Sequence, residues 1–84
     1  MHEIPEEAVY FFKTVKGAFW IAPEPGGGRL FVLGCEVGPL GSYVSPFEAA
    51  HAVRTHATGN DWWDSRPRSA TDPESLRDWE QVPE

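Results

Sequence analysis

From Val9 to Lys16 the chain interleaves aromatic and β-branched residues with polar ones, the pattern of a half-buried strand. Lys16-Gly17 offers a turn, and Ala18-Phe19-Trp20-Ile21-Ala22 resumes the apolar run, so these segments predict a hairpin. Pro23 to Gly28 holds two Pro and three consecutive Gly, residues that interrupt a strand and permit positive φ, and predicts a loop. Arg29 to Val37, with Leu30, Phe31, Val32 and Leu33, predicts a third strand pairing back on the second. The simplest arrangement is a three-stranded antiparallel meander. Gly38-Pro39 and Gly41 then break the pattern, and Tyr43-Val44 either extends the third strand past a bulge or forms a short separate piece.

The sharpest local signal follows. Ser45 has the chemistry of an N-cap, Pro46 suits the first helical position, and Glu48 stands three residues after the cap. This predicts a helix over about 46–58, ended by Gly59 in a left-handed cap. Phe47, Ala50, Val53 and Ala57 recur at helical spacing and predict a small-residue face lying close on the sheet. Trp62 and Trp63 come directly afterwards, and adjacent side chains diverge, so one is expected inside and the other partly exposed. Ser65 to Thr71 reads as a loop. Asp72-Pro73 repeats the cap-plus-proline signature and predicts a helical turn over about 73–80, with Leu76 and Trp79 facing the body. The fold class is therefore α+β: a meander packed on one helix, with a C-terminal turn.

Length and composition bound this picture. Eighty-four residues suit one domain, taken as 8–84, after a flexible terminus over 1–7 that carries three Glu and no apolar period. Net charge is −6, with three basic and five acidic groups in residues 1–44 against four basic and eight acidic in 45–84. That balance disfavours phosphate backbones and anionic membranes, and favours another protein, a basic one, as partner. A sheet edge also offers a route to self-association. Cys35 is the one cysteine, no apolar run approaches the ~20 residues of a membrane span, and a cytoplasmic setting is expected.

Candidate chemistry is sparse. Cys35 lies among Phe31, Leu33 and Val37, where a buried inert thiol is expected rather than a nucleophile paired with His51 or His56. Those histidines are five apart, about 140° around a helix, which does not suit a shared metal, and both read as surface residues. Gly26-Gly27-Gly28 precedes a strand rather than a helix, so it lacks the setting of a phosphate cradle. Neither a catalytic residue, a cofactor nor a metal is expected, and no enzyme activity. The best candidate surface is Asp61, Trp62, Trp63, Asp64, Asp78 and Trp79, with Asp72, Glu74 and Glu80 nearby: carboxylates beside indoles suit a cationic partner.

The segment Gly41-Ser42-Tyr43-Val44-Ser45-Pro46-Phe47-Glu48-Ala49-Ala50-His51-Ala52-Val53, continued by Thr58-Gly59, Trp63-Asp64, Leu76 and Trp79, resembles a pattern in short uncharacterised bacterial and phage proteins. It spans about half of the chain. The same segment, coming after three strands, is similar to the strand-to-helix junction of plant-type AP2 and integrase arm-binding domains. In those families the sheet enters the DNA major groove through several Arg and Trp residues; here the strands and loops offer Lys13, Lys16 and Arg29. The expected function is a non-enzymatic interaction module. The alternatives are a nucleic-acid-related protein, either a weak sheet-mediated binder or an acidic mimic, and a small enzyme.

Overall fold

The computed structural model describes residues 8–14, 17–24, 29–35, 38–67, 72–73 and 75–81. The terminus 1–7 and the triple glycine lie outside the described residues, as do Arg68 to Thr71 and Glu74. Among the described residues the order is β1 (Tyr10–Thr14), β2 (Gly17–Pro23), β3 (Phe31–Cys35), β4 (Gly38–Tyr43), α1 (Pro46–Arg54), α2 (Asp61–Asp64), a 3-10 turn (Leu76–Asp78) and β5 (Glu80–Gln81). The strands form one antiparallel sheet in the order β4-β3-β2-β1-β5.

The α+β class stands, but the sheet has five strands where three were expected. Gly38, Pro39 and Gly41, which read as breakers, lie inside β4. They are tolerated because β4 is an edge strand, where a proline costs no ladder hydrogen bond on the open side. A register shift between Leu33 and Gly34 absorbs the irregularity. The segment ending at Tyr43 is thus a separate strand paired with β3 through Phe31↔Tyr43 and Leu33↔Gly41. β5 is two residues long and has no apolar period, so nothing local announces it.

Cross-strand register sorts the aromatic residues by face. Tyr10↔Ile21 and Phe12↔Phe19, with Leu33 opposite Ile21, put these side chains toward α1 in the main core. Phe11↔Trp20 and Ala22↔Val32 point the other way and form a second cluster with Ala8. A strand apolar on both faces reads as a continuous run, which is why Ala18 to Ala22 shows no alternation. Trp20 lies across its partner Gly34, where an added Cβ would fall 2.2 Å from the indole Cζ2.

Ser45 caps α1, its Oγ accepting the Glu48 N–H at 3.2 Å. The helix is shorter than the expected 46–58. His56 takes φ 57 directly after the cap residue Thr55; its N–H donates to Val53 O at 3.1 Å and the Ala57 N–H to Ala52 O at 2.9 Å. These bonds close the helix around a left-handed residue, the role expected of Gly59. Gly59 does have positive φ, 93, but it serves the next turn. The buried face is Ala49, Ala50, Ala52 and Val53; Phe47 and Ala57, expected there, are exposed. Ala57 lies beyond the helix end, and Phe47 projects from its first turn.

The second expected helix, over about 73–80, is reduced to the 3-10 turn. Trp79 is extended (φ −87, ψ 156), so the chain leaves the turn and pairs with β1 through Phe11↔Glu80 and Tyr10↔Gln81. Leu76 and Trp79 are buried against the body, as their spacing predicts.

Candidate functional site

The segment Thr58-Gly59-Asn60-Asp61-Trp62-Trp63-Asp64 folds on its own polar groups. Asn60 caps α2, its Oδ1 accepting the Trp63 N–H at 3.1 Å, and its Nδ2 donates to Cys35 Sγ at 3.3 Å. The Asp64 carboxylate turns back over the start of the segment. Its oxygens accept the Thr58 N–H at 3.0 and 3.1 Å, the Thr58 hydroxyl at 2.9 Å and the Gly59 N–H at 2.8 Å. A carboxylate holding three donors is strongly localised, and it locks the approach to α2. Asp64 also faces the Tyr43 phenol, whose pKa is raised above 10.0 by burial first and by that carboxylate second.

This turn gives the adjacent indoles different burial while leaving their rings in contact, with centroids 6.1 Å apart. Trp63 enters the core, donates from Nε1 to Val53 O at 2.8 Å, and meets Phe19 edge-on with ring centroids 5.2 Å apart. Trp62 stays half-buried at the surface. The Arg66 guanidinium sits over both indoles, 5.1 Å from the Trp62 centroid and 4.8 Å from that of Trp63.

Behind them lies a polar pair. His56 Nε2 and Asp72 Oδ2 are 2.8 Å apart, with side chains only 6% and 5% exposed, and the imidazole stacks on Trp63 at 4.8 Å. Arg66 Nη1 approaches the other Asp72 oxygen at 4.0 Å. His56 Nδ1 and Trp79 Nε1 are buried without a hydrogen-bond partner among the described residues. A cleft of about 260 Å³ opens here, lined by Phe12, Lys13, Thr14, Trp62, Trp63, Arg66 and Asp72.

The candidate surface of Asp61, Trp62, Trp63, Asp64, Asp78 and Trp79 is therefore divided. Trp63 and Trp79 are buried, Asp64 holds the turn, and Asp61 and Asp78 are exposed but do not line the cleft. Of the six, Trp62 combines partial exposure with a place on its wall. His56, read as a surface histidine, is buried against Asp72, while His51 is exposed. Asp72, read as a helix cap, has its Oδ2 against His56; the residue before the 3-10 turn is Ser75, whose side chain makes no capping bond. Sequence reading missed Lys13, Arg66 and the His56–Asp72 pair. The pair spans 16 residues and only the folded chain closes it. Arg66, three to four residues after the two Trp, carried a usable signal for a cation over a ring.

Among the described residues no group of His, Cys, Asp and Glu is arranged to hold a metal ion, and no helix is long and apolar enough to cross a membrane. No protein-family model matches the chain, and no curated protein or solved structure matches it.

Proposed function

We propose that this protein is a non-enzymatic interaction module that binds another macromolecule, a protein, through the cleft beside Trp62. The observation that carries this reading is Trp62 itself: a large aromatic left half-buried on the wall of an open recess, with Arg66 stacked on it, in a domain that otherwise buries its tryptophans. Aromatic and arginine side chains concentrate the energy of protein interfaces because they bury much area with few rotatable bonds. The carboxylates of Asp64 and Asp72 make structural bonds, the first within its turn and the second to His56, which supports binding over chemistry. The test is capture of partners from lysate on the full chain and on Trp62→Ala. A partner retained by the first and lost by the second, with unchanged circular dichroism, supports the reading; identical capture by both removes Trp62 from it.

Self-association is a second reading, favoured by a different observation. Val44 and Phe47 are both 69% exposed and flank Ser45-Pro46, where edge strand β4 runs into α1. Apolar side chains beside an open strand edge suit edge-to-edge pairing of two copies. Light scattering on the full chain and on Phe47→Ser tests it: a dimer in the first and a monomer in the second is the expected result, and a monomer in both refutes it.

A further inference from the structure

The cleft sits beside the outer edge of β1. Among the described residues β5 pairs with that edge at Tyr10 and Phe11, and no strand pairs with it at Phe12 and Lys13. Both residues line the cleft.

The ladder shows which main-chain groups are turned there. Glu24 N–H donates to Leu30 O at 2.9 Å, so Ala22 and Trp20, at steps of two, bond toward β3 and the alternate residues Phe19 and Ile21 bond toward β1. Val9 N–H also donates to Ile21 O at 2.8 Å, one residue out of the Tyr10↔Ile21 register, which places the Ile21 carbonyl on the β1 side. Phe12↔Phe19 and Tyr10↔Ile21 are then the hydrogen-bonded pairs, and Phe11 and Lys13 direct their N–H and C=O away from β2. Phe11 is opposite Glu80 of β5, whereas among the described residues no strand residue pairs with Lys13 on that side.

Side chains around this edge add a charge preference. Arg66 is 32% exposed and Lys13 is exposed, and they are the cations among the described lining residues. Asp72, the one carboxylate among those residues, is bonded to His56 and lies 4.0 Å from Arg66. In a chain of net charge −6 the described lining thus has cations in excess.

From this we infer that the cleft takes an extended peptide bearing an acidic side chain. The peptide adds to β1 in line with β5, exchanging main-chain hydrogen bonds with Lys13, while its carboxylate meets Arg66 and an adjacent side chain lies on Trp62. Strand addition takes its affinity from the backbone and its selectivity from alternate side chains, the two elements this edge presents. The inference rests on the interaction-module reading and names the ligand class for its site; it revises the partner's charge at the cleft from basic to acidic.

The experiment is selection of a displayed random heptapeptide library on the full-length chain, followed by binding of the best synthetic peptide. Enriched sequences are expected to share one Asp or Glu. That peptide is expected to weaken about tenfold when its acid is replaced by the amide, and about tenfold on N-methylation of the residue opposite Lys13 but not of its neighbours. Amide shifts are expected at Lys13 and indole shifts at Trp62. Arg66→Gln is expected to abolish the acid preference; should it unfold, the peptide-side substitutions decide alone. Selected peptides without a shared acid, tolerance of N-methylation at every position, or shifts confined to Val44 and Phe47 overturn the inference while leaving a binding module in place. Absence of any enrichment also overturns it, and the Trp62→Ala capture then judges the module reading independently.

Discussion

His56 Nε2 meets Asp72 Oδ2 at 2.8 Å inside the domain, joining the end of α1 to the chain sixteen residues on. The contact holds two backbone features in place: the left-handed residue that ends the helix, and the approach to the 3-10 turn. Asp72→Ala leaves a buried imidazole with neither nitrogen satisfied, since Nδ1 already has no partner among the described residues. The expected loss is about 2–3 kcal/mol. Asp72→Asn, which retains an accepting oxygen, is expected to cost less. His56→Gly loses the same contact and the stacking on Trp63 while relieving about 1 kcal/mol of left-handed strain, so it too is expected below wild type. Urea unfolding of the four proteins checks the order; equal midpoints would show that the pair is energetically idle.

Trp20 and Gly34 form a second constrained pair. An added methyl at Gly34 overlaps the indole, which is itself buried and has no free end to swing away. Gly34→Ala is expected to destabilise by about 1–3 kcal/mol and to shift the Trp20 indole N–H resonance. In a Trp20→Leu background the same substitution should cost far less. A full cost in both backgrounds would place the constraint in the backbone instead.

Asp64 accepts from Thr58 and Gly59 through both oxygens. Asp64→Asn turns one acceptor into a donor facing an N–H, with an expected loss of about 1–3 kcal/mol. Hydrogen exchange gives the local readout: the Thr58 and Gly59 amides should lose protection before the β2 amides do. Unchanged protection at both would contradict the assigned role.

Tyr43 supplies a pH dependence. Burial, then the Asp64 carboxylate, raise its pKa above 10.0, so the neutral phenol is favoured more in the folded chain than in the unfolded one. Its contribution is complete below about pH 10 and is lost as pH rises through the raised folded value. Tyr43→Phe removes this titration. The stability difference between wild type and variant should be constant from pH 7 to 9 and change to the wild type's disadvantage above about pH 10; parallel curves throughout would refute the linkage.

The exposure of Phe47 shows where helical periodicity stops being informative. Spacing placed it with Ala50, Val53 and Ala57, yet the buried stripe is Ala49, Ala50, Ala52 and Val53. With alanine dominating the helix, hydrophobicity alone defines the face weakly, and contact with β3, β4 and the 3-10 turn selects it. Capping at Ser45 was legible because it depends on residues within one turn of each other, Ser45, Pro46 and Glu48. The candidate site was legible only in part: Trp62 belongs to the cleft, but its neighbours Lys13, Arg66 and Asp72 arrive from β1, from after α2 and from before the 3-10 turn.

The amino-acid sequence by itself determined the features set by short-range chemistry. These are the β1–β2 hairpin, the cap that starts α1, the buried state of Cys35, the divergence of Trp62 from Trp63 and the inward anchoring of Leu76 and Trp79. Tertiary structure decided what depends on groups distant in the chain. It made β4 a strand by giving Gly38, Pro39 and Gly41 a neighbour to pair with, and made β5 by bringing Glu80 and Gln81 alongside β1. It also converted His56 from a surface residue into a buried partner of Asp72. The physical reason is shared: a ladder bond or a buried polar contact gains its energy only when both partners are already in place, and chain order does not record that encounter.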